Sequence, residues 1–380
     1  MNILIRGVRN NIHSVSMVNQ FLLLSWQGKA GVNVLHEDLS SRWPAGDCGF
    51  DQADREAIQR FPSPKGDEPC DILVSYDQHD LIDERIDPDK RYLFVVTEFG
   101  RFQREGQAVI QAQLDQGAHV LTPSQWSAQR LIDRFGSGVA PQIEVIAHGV
   151  HPKYYWPMSP EQCGAARAPL GIGPDEFVFM NLGAGTWNKG IDLVLKGFDQ
   201  VIASGRPARL ILKDMRQLYG NKVDDQIGGM IQRGEISSAC TDKIVYCPGQ
   251  LSLPQMGTLY NLADCYLSPY RAEGFNLPVL EALACGTPVI ATRDGATKDF
   301  ADSSVAFGIE GQLCELTPEQ GRGCYIEPLF DHFVSLMNEA VDQNLKRAGR
   351  FAPGLATVPE RFGWDAIGRR HIEIFTKAGH

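Results

Sequence analysis

No stretch of this 380-residue chain approaches the roughly 20 apolar residues that a membrane-spanning helix requires; its longest apolar runs include FLLL at 21–24 and YLFVV at 92–96. Met1 leads straight into NILIRGV, a strand-like segment without the long apolar region and small-residue cleavage site of a secretory leader. We therefore expect a water-soluble protein of the cytoplasm. Positive charge is also scarce: 36 Lys and Arg stand against 46 Asp and Glu, a net charge of −10. Attraction of the whole molecule to nucleic acid or anionic lipid is not expected. The nine cysteines contain no CxxC pair and the nine histidines no HExxH, so neither sulfur nor imidazole points to a metal, and the cysteines read as free thiols, mostly buried. The loop after the first apolar run, Gly7-Val8-Arg9-Asn10-Asn11-Ile12, lacks the GxGxxG of a dinucleotide site. GAGTWNKG at 183–190 lacks the GxxxxGK[ST] order of a triphosphatase P-loop.

What is present is an alternation. Hydrophobic residues make up 43% and charged residues 22%, the balance of an ordinary globular protein. At this length two domains of about 150–200 residues are the default. Short runs rich in β-branched and aromatic residues, NILIRGV (2–8), VNVLHE (32–37), DILVSY (71–76), YLFVVTE (92–98), HVLTPS (119–124) and IEVIAHGV (143–150), alternate with longer segments. Helical periodicity marks 14–27, 103–116 and 125–135, with Ser14 and Ser124 available as N-caps. Strands alternating with helices predict βαβ units and a parallel sheet.

After Gly149 the stretch HPKYYWPMSPEQCGAARAPLGIGPDE has neither period and reads as a linker. A second series follows: FVFMNLGA (177–184), ARLILKD (208–214), KIVYC (243–247), CYLSPY (265–270) and TPVIATR (287–293), with helical stretches at 190–203, 255–262 and 278–285. The expected architecture is α/β, two Rossmann-like doubly wound parallel-sheet domains facing across a cleft, spanning 1–165 and 166–364. The segments 329–347 and 361–377 read as closing helices.

Ligands of such sheets bind at the carboxyl ends of the strands, which directs attention to RAEGFNLP at 271–278. Pro278 suits the first turn of a helix and Gly286 its stop, so Val279, Leu280, Leu283 and Ala284 would pack on the sheet. The N–H groups of Phe275–Leu277 and the positive end of the helix dipole would then form an anion site apt for a phosphate. Glu273 and Glu281 stand eight positions apart across this helix start. Carboxylates beside a diphosphate are electrostatically unfavourable, but each can accept two hydrogen bonds from a vicinal diol, one holding sugar and the other ribose hydroxyls. Spacing alone favours the plainer reading, a solvent-facing helix glutamate and a loop charge.

EGFNLPVLEALACGTPVIA resembles the E-x7-E segment of the retaining GT-B glycosyltransferases of the family-four (group 1) type. NLGAGTWNKGIDLVLKGF resembles that family's strand-loop-helix with its phosphate-binding lysine. TPSQWSAQRL followed by IEVIAHGVHPKYYWP resembles the close of its N-terminal domain, and RFGWDAIGRR its C-terminal helix, which in this fold crosses back to the first domain. The resemblance implies an acceptor-binding first domain, with the helix of 365–380 packing on it, and a donor-binding second domain. Glu281 would bind ribose hydroxyls and Glu273 the transferred sugar; Gly274, Phe275, Asn276 and Leu277 would contact sugar and diphosphate, and Lys189 the β-phosphate.

Gly7 and Gly183, each closing the first strand of a domain, are carried as donor-side positions. Many relatives have arginine where this chain has Ala184; Lys213, after the strand ARLIL, could supply that charge or could be a strand-end surface lysine. Where relatives place a histidine after the fourth strand, this chain has Thr97-Glu98-Phe99-Gly100, so Glu98 is the candidate there, with His148 and His79 weaker. A DxD at Asp87-Pro88-Asp89, which holds a metal in another glycosyltransferase class, carries proline inside it and reads as a surface turn.

The implied activity is transfer of a hexosyl group, mannosyl or glucosyl, from a UDP- or GDP-sugar to a hydroxyl of a glycan or lipid-linked acceptor, with retention and with neither metal nor cofactor. Peripheral membrane association would suit lipid-linked acceptors. A nucleotide-sugar epimerase of the same fold, or a non-catalytic nucleotide-sugar-binding homologue, are the alternatives.

Overall fold

The computed structural model describes residues 1–40, 49–66, 68–76, 83–183, 185–216, 220 and 223–377. Strands β1 (Asn2–Gly7), β2 (Asn33–Asp38), β3 (Ile72–Ser75), β4 (Arg91–Phe94), β5 (His119–Thr122) and β6 (Ile143–Val145) form one parallel sheet in the order β2-β1-β3-β4-β5-β6. A second parallel sheet, β12-β11-β10-β7-β8-β9, is made of β7 (Phe177–Gly183), β8 (Ala208–Asp214), β9 (Ile244–Cys247), β10 (Cys265–Ser268), β11 (Val289–Thr292) and β12 (Ala306–Ile309). The runs ILVS, RYLF, CYLS and VIAT are buried at every position, as strands covered by helices on both faces must be. The order of the second sheet is that of a doubly wound nucleotide-binding fold. The chain has the two-domain Rossmann-like architecture of the GT-B fold.

Two compact units result, one of Met1–His151, Pro318–Gly323 and Glu360–His380, the other of Pro152–Thr317 and Cys324–Pro359. The sequence reading places the boundary at 165; in the structure the linker already belongs to the second unit. The reason is local. Asn261, on the helix Leu253–Leu262, donates from Nδ2 to the Trp156 carbonyl at 2.8 Å and accepts from the Met158 N–H at 2.8 Å. Arg167, closing the helix Pro160–Arg167, donates twice to the Leu262 carbonyl and pairs with Asp264 at 2.9 Å. Backbone groups and an arginine side chain of a proline-rich stretch thus dock where periodicity predicts only a linker.

In the first unit the terminal helix Trp364–Lys377 lies on the helix Ser14–Trp26: Trp26 donates to the Gly368 carbonyl at 2.9 Å. A Cβ on Gly368 would stand 2.3 Å from Ser25 Oγ, so only glycine lets the helices approach this closely. Ser124 caps its helix by accepting from the Ser127 N–H at 3.1 Å. Ser14 does not cap; His13 occupies that position and Ser14 is the first helical residue. Asp87-Pro88-Asp89 forms a short 3-10 turn with Lys90 Nζ 3.4 Å from Asp87. The antiparallel ribbon β13 (Gly311–Glu315) and β14 (Cys324–Pro328) has no counterpart in the sequence reading. No disulfide joins the described cysteines, and no described helix is long and apolar enough to cross a membrane.

Candidate functional site

The second sheet's strand order reverses between β7 and β10: β8 and β9 extend to one side, β11 and β12 to the other. Loops leaving the carboxyl ends of such neighbours diverge and open a crevice. The loop after β7 ends in the turn Trp187–Lys189, and the one after β10 carries Glu273. Their side chains meet, Lys189 Nζ lying 2.9 Å from Glu273 Oε1. The two loops are stitched together at Asn188, whose carbonyl accepts from the Arg271 N–H at 2.8 Å and whose Nδ2 donates to the Ala272 carbonyl at 3.1 Å. Gly190 makes the approach possible: its φ is +72° and a Cβ there would lie 2.1 Å from the Pro269 carbonyl oxygen.

Arg271, buried, braces the lysine turn from beneath. Its guanidinium donates to both Asp192 carboxylate oxygens at 2.8 and 2.9 Å, to Glu327 at 2.8 Å and to the Trp187 carbonyl at 2.9 Å, and lies over the Trp187 ring at 4.9 Å. This fork holds the turn, the following helix Ile191–Ala203 and β14 in one arrangement. Sequence reasoning missed it, although Arg271 stands inside the segment it singled out.

The helix predicted after Glu273 runs Leu277–Ala284, and Gly286, at φ +72°, follows its C-cap Cys285. Its N-cap, Asn276, is left-handed at φ +78° and donates from Nδ2 to Ser268 Oγ at 2.9 Å. Asparagine is among the few side chains that tolerate this conformation. Phe275 is buried and stacked on Phe300 at 4.7 Å, which anchors the loop, and Gly274 beside it is also buried.

One helical turn on, Glu281 is half-buried. Tyr260 donates to its Oε2 at 2.7 Å, and the buried Tyr155 phenol faces the same carboxyl. Burial pushes the Glu281 carboxyl above the usual carboxylate range, and the two phenols pull against that rise. Neither tyrosine was anticipated from sequence; both lie outside the motif and are brought in by the docked linker and the neighbouring helix.

Of the other expected site residues, Gly183 ends β7 with room for a Cβ 3.6 Å from Lys189 Cβ, and Leu277 is half-buried at the helix start. Lys213 is buried; its ammonium donates to the Asp214 carbonyl and lies 4.0 Å from Met215 Sδ. Burial lowers its pKa, opposed by Asp214 and Cys247. Gly7 and Glu98 belong to the first unit. A Cβ on Gly7 would stand 2.8 Å from Asn19 Nδ2, a packing reason for glycine. Glu98 is half-buried and accepts from Trp126 Nε1 at its carbonyl, 2.8 Å. His148 is buried beside Phe94 and its pKa falls to about 3 through burial and His371, so it is neutral. His79 and Ala184 lie outside the described residues. Among the described residues no group of three His, Cys, Asp or Glu side chains converges as a metal-ligand set.

Residues 164–315 match the family model described as Glycosyl transferases group 1. The chain is 27% identical over 260 residues to a GDP-mannose-dependent monoacylated alpha-(1-6)-phosphatidylinositol monomannoside mannosyltransferase of Corynebacterium glutamicum, covering 66% of this chain and 60% of the relative. It is 25% identical over 280 residues to a D-inositol 3-phosphate glycosyltransferase of Paenarthrobacter aurescens, covering 73% and 61%. The match thus spans about 60% of the length of such relatives. Among solved structures, HepE of Anabaena in complex with UDP and glucose superposes with a TM-score of 0.71 at 16% identity, over 99% of this chain and 100% of that one. A sucrose-phosphate synthase of Thermosynechococcus elongatus gives 0.69 at 15%, over 99% and 98%. The family match thus falls on residues 164–315, the stretch that holds Lys189, Glu273 and Glu281, in a chain of GT-B fold.

Proposed function

We propose that this chain is a retaining glycosyltransferase that moves a hexosyl group of mannosyl or glucosyl type from a UDP- or GDP-sugar to a hydroxyl of a glycan or lipid-linked acceptor, in polysaccharide or glycoconjugate biosynthesis at the cytoplasmic side of a membrane. The observation that carries the reading is the convergence of Lys189 and Glu273 at the switch point of the second sheet, one helical segment from Glu281. In this reading Lys189 and the N–H groups of residues 274–277 take the diphosphate, Glu273 the hydroxyls of the sugar and Glu281 those of the ribose. The glycosidic bond to phosphate breaks while the acceptor oxygen bonds to the same face of the sugar, and the acceptor proton passes to the departing phosphate oxygen. No protein nucleophile, metal or organic cofactor enters; the contribution of the site is electrostatic and positional.

The relatives frame the choice of donor: the mannosyltransferase is named as GDP-mannose-dependent, and HepE was solved with UDP and glucose. The test is a thermal-shift screen with UDP, GDP, ADP and their sugar conjugates, followed by incubation with the donor that binds and a panel of glycan and lipid acceptors. One nucleotide should raise the melting temperature, and sugar should pass to an acceptor with its anomeric configuration kept. Conversion of the donor to an epimer without acceptor would make the protein an epimerase instead. Binding with no turnover on any acceptor would make it a binding protein.

A further inference from the structure

The Glu281 carboxylate faces two phenols from two different elements. Tyr260 comes from the helix Leu253–Leu262 and donates to Oε2 at 2.7 Å; Tyr155 comes from the linker and its phenol faces the same carboxylate, its ring edge-on to Tyr260 with centroids 6.1 Å apart. Both tyrosines are buried, with relative exposures of 0% and 3% for Tyr260 and Tyr155. The linker has little freedom here. A Cβ on Gly257 would lie 1.9 Å from the Tyr154 carbonyl oxygen, and Asn261 holds the backbone of Trp156 and Met158 by two hydrogen bonds of 2.8 Å. Tyr155 is therefore delivered to Glu281 by a backbone pinned on both sides, an expensive arrangement for a residue whose only task is to fill space.

We propose that Tyr155 and Tyr260 are positioning residues that fix Glu281 as an ionised, singly oriented acceptor and thereby set the site's selectivity for a ribose diol over a deoxyribose. The proposal rests on the donor-site reading of Glu281. Its chemistry is that of hydrogen-bond inventory. An ionised carboxylate is acceptor-only, and with the phenols on it the remaining lone pairs still suit two hydroxyl donors. A protonated Glu281 would give up an acceptor position and the charge that strengthens the bonds it accepts. Burial favours that protonated form, and the phenol donors oppose it. The other titratable groups facing Glu281 are Cys285 on its own helix and Tyr266 on β10, both with pKa values raised far above neutrality and so uncharged. Nothing else among these neighbours can keep the carboxylate charged, so the burden falls on Tyr155 and Tyr260.

The experiment is isothermal titration of the full chain with UDP, dUDP, GDP and dGDP between pH 5 and 8. It compares wild type with Tyr260→Phe, Tyr155→Phe and the double variant, with Glu281→Gln as reference. Phenylalanine keeps each ring, and circular dichroism checks that each variant is folded. Wild type should prefer the ribonucleotide over its 2′-deoxy counterpart by about tenfold or more, the loss expected when a hydrogen bond to a charged group goes. The phenylalanine variants should lose most of that preference through weaker ribonucleotide binding, with deoxynucleotide affinity unchanged. Their ribonucleotide binding should also fail at a higher pH than in wild type as acid is added, because the carboxyl has lost the groups that held its pKa down. A wild type that discriminates, joined to variants that discriminate equally with the same pH profile, overturns the role of the tyrosines alone. A uniform loss of affinity for both sugars, without change in the ratio, also overturns it, since that is what a purely structural role produces. A wild type that binds neither nucleotide pair overturns the donor-site reading and this inference together.

Discussion

Lys189 Nζ lies 2.9 Å from Glu273 Oε1, with the two side chains 24% and 12% exposed. The pair joins the cation proposed to take the diphosphate to the carboxylate proposed to take the sugar. A diphosphate entering this site meets an ammonium already bonded to a carboxylate, so part of its attraction offsets that existing pair. The two residues should therefore separate in a binding measurement although both are needed for transfer. Lys189→Ala is expected to weaken binding of the free nucleoside diphosphate by roughly tenfold or more. Glu273→Gln is expected to leave that binding unchanged or tighten it, by removing a negative charge beside the anion, while abolishing sugar transfer. Titration calorimetry with UDP and GDP checks the first pair of outcomes and a transfer assay the third. Equal loss of nucleotide affinity in both variants would count against these roles.

Arg271 gives a second test, of support instead of contact. Its partners Asp192 and Glu327 have side chains 35% and 39% exposed, so solvent screens their loss of charge and the ion pairs alone contribute little to stability. The geometry matters more, because a lysine cannot reproduce a fork reaching Asp192, Glu327 and the Trp187 carbonyl at once. Arg271→Lys should cost ~1–2 kcal/mol in stability and, by loosening the turn that carries Lys189, weaken nucleotide binding several-fold. Denaturant titration and calorimetry on one preparation read both. A stability loss with unchanged affinity would show that the turn is held by other means.

Asn276 tests the loop that opens the helix. At φ +78° an ordinary side chain is strained by ~1–2 kcal/mol, and the bond to Ser268 Oγ adds about 1 kcal/mol. Asn276→Ala should therefore lower stability by ~2 kcal/mol, whereas Asn276→Gly, which loses the bond but not the conformation, should cost less. Urea midpoints rank the two. Alanine proving as stable as glycine would mean that the left-handed turn is not retained.

The elements of this site differed in how visible they were before folding. The helix Leu277–Ala284 and its stop could be placed to within one residue because Pro278 and Gly286 act on their own backbone. The Lys189–Glu273 contact needed topology as well as motif, since only the meeting of the β7 and β10 loops brings residues 84 positions apart into hydrogen-bond range. Tyr155, Tyr260 and Arg271 carry no local signal. A tyrosine in a proline-rich linker looks like any other, and its role appears only when Asn261 pins the linker to a helix a hundred residues on. Lys213 shows the converse: a lysine at the carboxyl end of β8 looks available in sequence, yet it is buried and bonded to the Asp214 carbonyl. The short β12 and the ribbon β13–β14 escaped notice because AFGI is brief and contains glycine, while GQLCE is largely exposed.

The last prediction concerns acid and the first unit, where His36, His148 and His371 are all buried. Burial is the main cause in each case, holding His36 and His148 at about 3 and His371 at about 4. In an unfolded chain these imidazoles would take up protons near pH 6.5. Between that pH and about 4 the unfolded state therefore binds more protons than the folded one, and acid favours unfolding. The stability these groups contribute is fully present above about pH 6.5 and declines as pH falls through the window toward their folded values. The slope is at most about 1.4 kcal/mol per pH unit for each histidine. Urea denaturation followed from pH 7 to 4.5 should show the decline, and His148→Gln, which removes one titrating group, should flatten it by roughly that single-proton amount. A slope unchanged in the variant would mean that His148 gains its proton in the folded protein as readily as in the unfolded chain, contrary to its enclosed position beside Phe94.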